Sequence, residues 1–166
     1  MTASNYAAPV DQLVLALKFG HRLALAGLLS NMLRDAILQE PQQYLPDLLC
    51  PVPLGRQRLQ ERGFNQSLEI AKPLSVHLGV ELHSQLVRRN RETAQQSSLH
   101  PDDRHKNVHN AFILNDTAIN LIKGKHIGVV DDVMTTGTTL NEIASLLKRF
   151  GAAKVTNYVV ARTPLH

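Results

Sequence analysis

Residues Ile127–Leu140 read IGVVDDVMTTGTTL. Ile127, Val129 and Val130 form a short apolar run that ends in two adjacent carboxylates, Asp131 and Asp132. A loop of hydroxyls with one glycine follows, and then an apolar-periodic segment begins. The β-branched run suits a strand buried on both faces of a parallel sheet. Leu140, Ile143, Ala144 and Leu147 recur at i, i+3, i+4 and i+7, which makes one helix face apolar. Gly151 stands just past the last of them, where a helix stop is expected. The loop Met134–Thr139 therefore joins a strand's carboxyl end to a helix's amino end. Unpaired N–H groups there point outward and the helix dipole favours an anion. Open α/β sheets bind ligands at this edge. Thr135, Thr136, Thr138 and Thr139 add hydroxyl donors, and Gly137 lets the backbone approach an anion closely.

Adjacent residues leaving a strand point in different directions, so one spot need not hold both acids. Each carboxylate accepts hydrogen bonds from sugar hydroxyls. Acceptors one loop away from an anion cradle match a ribose diol that carries a 5′-phosphate. A plainer alternative is that Asp132 caps the loop and Asp131 is a solvated acid at the strand end.

The whole chain bounds these readings. Its 166 residues fit one domain with a sizeable core, expected to span 1–166. Hydrophobic content of 43% argues against disorder. No apolar stretch has transmembrane length, and Met1–Ala8 lacks a basic leader region, so a cytoplasmic protein without membrane insertion is expected. The single cysteine, Cys50, excludes an internal disulfide framework and a multi-cysteine zinc site within the chain. Cys50 lies in an apolar run and reads as a packed small hydrophobe. The net charge of +4 suits a polyanionic small molecule or nucleic acid. Aromatic residues are only 4% and Trp is absent, a poor supply for stacking single-stranded bases.

Along the chain, Val10–Leu17 reads as a short amphipathic helix interrupted by Gly20, and Leu25–Ile37 outlines a longer one. Leu48–Leu54 is a strand whose end is shaped by Pro51 and Pro53. Gly55–Phe64 reads as a basic loop, and Asn65 as the N-cap of a helix that Gly79 ends and Pro73 bends. Val80–Val87 and Ala111–Leu114 are strand candidates, and Val155–Ala161 is the last strand. Asn90–Asn110 is a long polar segment, expected to be a functional loop or flap. The alternation of strands and helices supports a small α/β domain around a parallel sheet. Neither a Walker A pattern nor a dinucleotide fingerprint is present.

The carboxylate pair and threonine loop resemble the 5-phosphoribosyl-1-pyrophosphate (PRPP) signature of type I phosphoribosyltransferases. Residues 51–66, PVPLGRQRLQERGFNQ, residues 86–96, LVRRNRETAQQ, and residues 104–112, RHKNVHNAF, extend the likeness. With Leu17, Lys18 and Phe19, they resemble the ComF family, whose named branches include ComF and GntX, over nearly the whole chain. Many ComF proteins carry an amino-terminal four-cysteine zinc module. The sequence begins where that module would end, so roles resting on it are not carried over.

The resemblance implies a type I phosphoribosyltransferase-like fold, a parallel-sheet core flanked by helices, with amino-terminal helices and a flexible flap. It implies that Asp131 and Asp132 hold the ribose hydroxyls and that Thr135, Thr136, Gly137, Thr138 and Thr139 hold the 5′-phosphate. Leu54–Arg58, with Gly55 and Arg56, would be the pyrophosphate loop. Residues 88–107 would be the flap, with Arg89 and Arg91 closing over the site. Mg²⁺ is expected through PRPP rather than on a dedicated protein site. The implied activity is PRPP-dependent phosphoribosyl transfer to an unidentified acceptor, in natural competence and DNA uptake. The alternative is a non-catalytic module that senses PRPP or serves on single-stranded DNA beside a helicase-like competence ATPase. No histidine stands out as a general base, and a homodimer is one assembly the amino-terminal helices could build.

Overall fold

The computed structural model describes residues 1–40, 44–90 and 111–164. Five strands form one wholly parallel sheet. In chain order they are β1 (Thr2–Asn5), β2 (Leu48–Pro51), β3 (Glu81–Leu82), β6 (His126–Met134) and β7 (Lys154–Arg162). Their spatial order is β1-β7-β6-β2-β3. Two short strands, β4 (Val87–Arg89) and β5 (Phe112–Leu114), pair antiparallel as a separate ribbon.

The helices are α1 (Val10–Gly20), α2 (Ala24–Leu38), α3 (Arg56–Arg62), α4 (Gln66–Leu78), α5 (Ile119–Ile122, after a 3₁₀ turn) and α6 (Thr138–Arg149). They cover the sheet in two layers. Val14, Leu17, Leu29, Leu33, Ile70 and Leu74 from α1, α2 and α4 pack with Leu49, Val130 and Tyr158. Leu140, Ile143 and Leu147 of α6 pack on the other side with Leu48, Cys50, Ile127, Val129 and Val159, joined by Phe112 and Ile122. Alternate residues of β2, β6 and β7 thus feed opposite cores, as the strand period of two requires. Burial on both faces explains the unbroken apolar runs. Cys50 is a buried free thiol whose pKa burial pushes up to about 12, which leaves it a small apolar side chain.

Gly128 sits at the centre of this sheet. A Cβ there would meet the Tyr158 ring at 2.7 Å, Leu49 Cδ2 at 2.8 Å and the Pro46 ring at 2.9 Å. Two of those three neighbours are rings, so any side chain there would force its surroundings to shift.

Several expectations are corrected. Gly55–Phe64 is mostly helical rather than a loop: Arg56–Arg62 makes two turns closed by Gly63 at φ 79°. Val80–Val87 is not one strand, because a turn at Ser84–Gln85 separates β3 from β4. Gly20 does not interrupt α1 but is its last residue, and His21 takes the left-handed conformation beyond it. β6 continues through Asp131 and Asp132 to Met134, because β7 pairs with it along its full length. β1 had no sequence signal; it is held at the sheet edge by β7. The fold itself is α/β around a parallel sheet, as expected. Most of the expected flap, including Arg91, lies outside the described residues.

Candidate functional site

The carboxyl end of β6 carries Asp131 and Asp132 into a polar junction between α1, α4 and the sheet. Asp131 is 9% exposed and Asp132 3%, so the solvated-acid alternative does not hold. Asp131 Oδ1 accepts from the Ser67 hydroxyl at 2.8 Å and from the Asp132 N–H at 3.0 Å. Burial first, and the neighbouring Asp132 carboxylate second, raise the Asp131 pKa to about 7. Ser67 and the Asp132 backbone pull it back partway.

Asp132 has a different partner. The Lys18 ammonium, at the end of α1, lies 2.5 Å from Oδ2. Beyond this ion pair, Oδ2 accepts no hydrogen bond from the described residues. Oδ1 has the Gln66 amide at 3.5 Å, the outer limit of a hydrogen bond. Asp132 thus keeps acceptor capacity that the described residues do not fill.

The RGFNQ motif builds this support. Asn65 caps α4 by accepting from the Ser67 and Leu68 N–H groups, and it donates to the Val52 carbonyl at 3.0 Å. One side chain therefore fixes the start of α4 to the end of β2. The cap places Gln66 and Ser67 on the first turn, facing the two acids. Arg62 donates to Gln66 Oε1 and lies over the Phe19 ring, 5.4 Å from its centroid. Lys18, Gln66 and Ser67 received no role from sequence, although Lys18 and Gln66 stand within motifs that carried the family likeness and Ser67 directly follows one. Serine and glutamine beside a good cap are commonplace, and only the fold shows what they face.

Beyond Asp132 the chain turns through Thr135, Thr136 and Gly137 into α6. Gly137 has φ 77°, a conformation that favours glycine. Thr135, Thr136 and Thr138 are exposed. The Thr136 and Thr138 hydroxyls are 2.8 Å apart, and the Thr138 N–H approaches Thr136 Oγ1 at 3.4 Å. No acidic residue of α6 stands in its own first turn, where the helix dipole favours an anion.

The basic residues gather near Leu54 and Gly55. Arg56 and Arg58 are exposed on α3. Arg89 reaches from β4 to lie beside Gly55, where a Cβ would be 3.7 Å from its Cδ. Its guanidinium is also 5.5 Å from the Phe112 ring. Burial, then the charge of Arg58, push the Arg89 pKa down, and Glu142 pulls it back. Arg62 is lowered by burial, with Arg58 adding to it and Asp132 opposing. Arg58 thus repels two other guanidiniums, and an anion between them would relieve that repulsion.

A parallel sheet with acids and a hydroxyl loop at its carboxyl edge defines a class. Residues 65–164 match the phosphoribosyl transferase domain family. The fold is shared with glutamine PRPP amidotransferase from B. subtilis (TM-score 0.53, 20% identity, 81% of this chain and 26% of that one). It is shared too with adenine phosphoribosyltransferase from Thermoanaerobacter pseudethanolicus (TM-score 0.52, 18% identity, 87% and 81%). In sequence the chain is 40% identical over 166 residues to the DNA utilization protein YhgH of Escherichia coli, covering 98% of this chain and 71% of that protein. It is 35% identical over 162 residues to Competence protein F of Haemophilus influenzae, covering 95% and 70%. The chain belongs to the ComF family and carries its phosphoribosyltransferase-like domain.

Proposed function

We propose that this chain binds PRPP and transfers its phosphoribosyl group to an acceptor, in a role connected with DNA uptake or use. The observation that carries this reading is the buried carboxylate pair, held by Ser67 and Lys18, directly before a hydroxyl loop that opens a helix. The α6 amino terminus and the hydroxyls of Thr135–Thr139 would hold the 5′-phosphate. Asp131 and Asp132 would accept from the ribose hydroxyls, and Arg56, Arg58 and Arg89 would hold the pyrophosphate.

As the bond from C1 to pyrophosphate breaks, the sugar becomes oxocarbenium-like. The buried carboxylates stabilise that developing positive charge, and the arginines stabilise the departing anion. Mg²⁺ suits this donor set, because it binds through one or two carboxylates together with substrate phosphates. When bound it would neutralise charge on the leaving group. The DNA utilization and competence names of the relatives support a DNA-related role.

The test is pyrophosphate release from Mg²⁺·PRPP in the presence of candidate acceptors. Release that falls at least a hundredfold in Asp132→Asn supports transfer. PRPP binding without release, together with salt-sensitive oligonucleotide binding that PRPP competes away, would replace transfer by the non-catalytic module.

A further inference from the structure

Glu142 stands on α6 one turn beyond Thr138, and its carboxylate meets the β4–β5 ribbon. Its Oε1 accepts from the Ala111 N–H at 3.1 Å. Ala111 directly precedes β5, and its own carbonyl accepts from the Asn90 N–H at 2.8 Å. Next in that ladder Phe112 pairs with Arg89, whose guanidinium lies 5.5 Å from the Phe112 ring. Glu142 therefore grips the ribbon beside the pair that carries Arg89. The ribbon is separate from the main sheet, and this bond ties it to α6.

The second oxygen, Oε2, is buried and accepts no hydrogen bond among the described residues. A buried carboxylate oxygen left that way is costly unless a nearby cation offsets it. Arg89 is such a cation, because the Glu142 charge opposes the effect of burial and of Arg58 on its guanidinium. Arg89 in turn runs beside Gly55, where a Cβ would be 3.7 Å from its Cδ and 4.0 Å from its Nε. One carboxylate thus holds the ribbon's backbone with one oxygen and attracts the ribbon's arginine with its charge.

We infer that Glu142 is the positioning residue for Arg89, fixing its guanidinium relative to the helix that opens with the hydroxyl loop. The inference rests on the PRPP reading, in which α6 holds the 5′-phosphate and Arg89 the pyrophosphate. A single helix then sets the span between the two anionic ends of the ligand. Two effects of the Glu142 charge on binding have opposite signs. A carboxylate near an anion site repels the anion, so a purely electrostatic residue would tighten PRPP binding when neutralised. A positioning residue would loosen it, because an arginine without its anchor must be ordered again when the ligand binds.

Glu142→Gln keeps an oxygen for the Ala111 N–H and removes the charge. The native chain, Glu142→Gln, Arg89→Ala and their double variant are titrated by calorimetry with Mg²⁺·PRPP and with ribose 5-phosphate. Circular dichroism checks that each is folded. Glu142→Gln should weaken PRPP binding tenfold or more. Ribose 5-phosphate, which lacks the pyrophosphate, should bind it within twofold of native. Adding Glu142→Gln to Arg89→Ala should change PRPP affinity by less than twofold, the non-additivity of a residue that acts through another. Arg89→Lys leaves Glu142 and its bond to Ala111 in place, so it carries the test if Glu142→Gln does not fold. PRPP should again weaken tenfold there, with ribose 5-phosphate unchanged. PRPP binding that tightens in Glu142→Gln, that weakens in step with ribose 5-phosphate, or that falls equally with and without Arg89 overturns the inference and leaves the PRPP reading standing. Native PRPP affinity in Arg89→Lys does the same. If PRPP does not bind the folded native chain, that reading falls and the inference with it.

Discussion

Asp131 and Asp132 are adjacent in sequence but do not share one environment. Asp131 is held by a hydroxyl and its neighbour's N–H, whereas Asp132 is held by an ammonium. In the folded protein Asp131 keeps its proton up to about pH 7, against an ordinary value of 3.8. The folded state therefore binds more protons than the unfolded chain within that window. Stability accordingly falls as pH rises through the window, and the full loss remains above it. Asp131→Asn should flatten this slope and raise stability at pH 8 relative to pH 5, by on the order of a few kcal/mol. Urea melts at the two pH values measure it, and an unchanged slope would show that Asp131 is not the titrating group. Removing the Lys18 ammonium is expected to act oppositely. Lys18→Ala leaves a buried carboxylate without its counter-charge and should cost about 3 kcal/mol, seen as a lower Tm at neutral pH. Gly128→Ala should cost about 1–3 kcal/mol by overpacking against Tyr158 and Pro46. Retained stability there would mean that the rings can shift.

At the scale of elements, the two junctions of the site rest on short-range devices. Asn65 caps α4 and ties it to β2, so Asn65→Ala should cost about 1 kcal/mol by thermal denaturation. It should also weaken PRPP binding, because Ser67 and Gln66 lose their placement against the acids. A stability loss with unchanged affinity would separate the cap from the site. Much of this level was legible in the sequence. The Asn65 cap, the β6 run and the α6 periodicity were readable because local chemistry alone determines them. The carboxylate pair and hydroxyl loop were readable because their order along the chain carries the chemistry. What was not readable depended on distant partners. The helix at Arg56–Arg62 has no buried residue and hence no apolar stripe to announce it. β1 exists because β7 offers it an edge, and Lys18 meets Asp132 only because α1 packs beside the end of β6.

For the whole molecule, the parallel sheet sets out three neighbouring functions along one edge. On the proposed reading α6 would offer a phosphate cradle and β6 a pair of hydroxyl acceptors, beside the mutually repelling guanidiniums of α3 and β4. Such an arrangement suits a ligand that has a phosphate at one end, a diol in the middle and a pyrophosphate beside it. The chain's positive net charge adds a general attraction for that ligand, which salt should weaken. The direct test is calorimetric titration of the native chain with Mg²⁺·PRPP, set against an Asp131→Asn, Asp132→Asn double variant whose folding is checked by circular dichroism. Saturable binding to the native chain, lost at least a hundredfold in the folded variant, is the result predicted here. No binding by the native chain, or equal binding by both, would contradict the assignment of the carboxylate pair to PRPP.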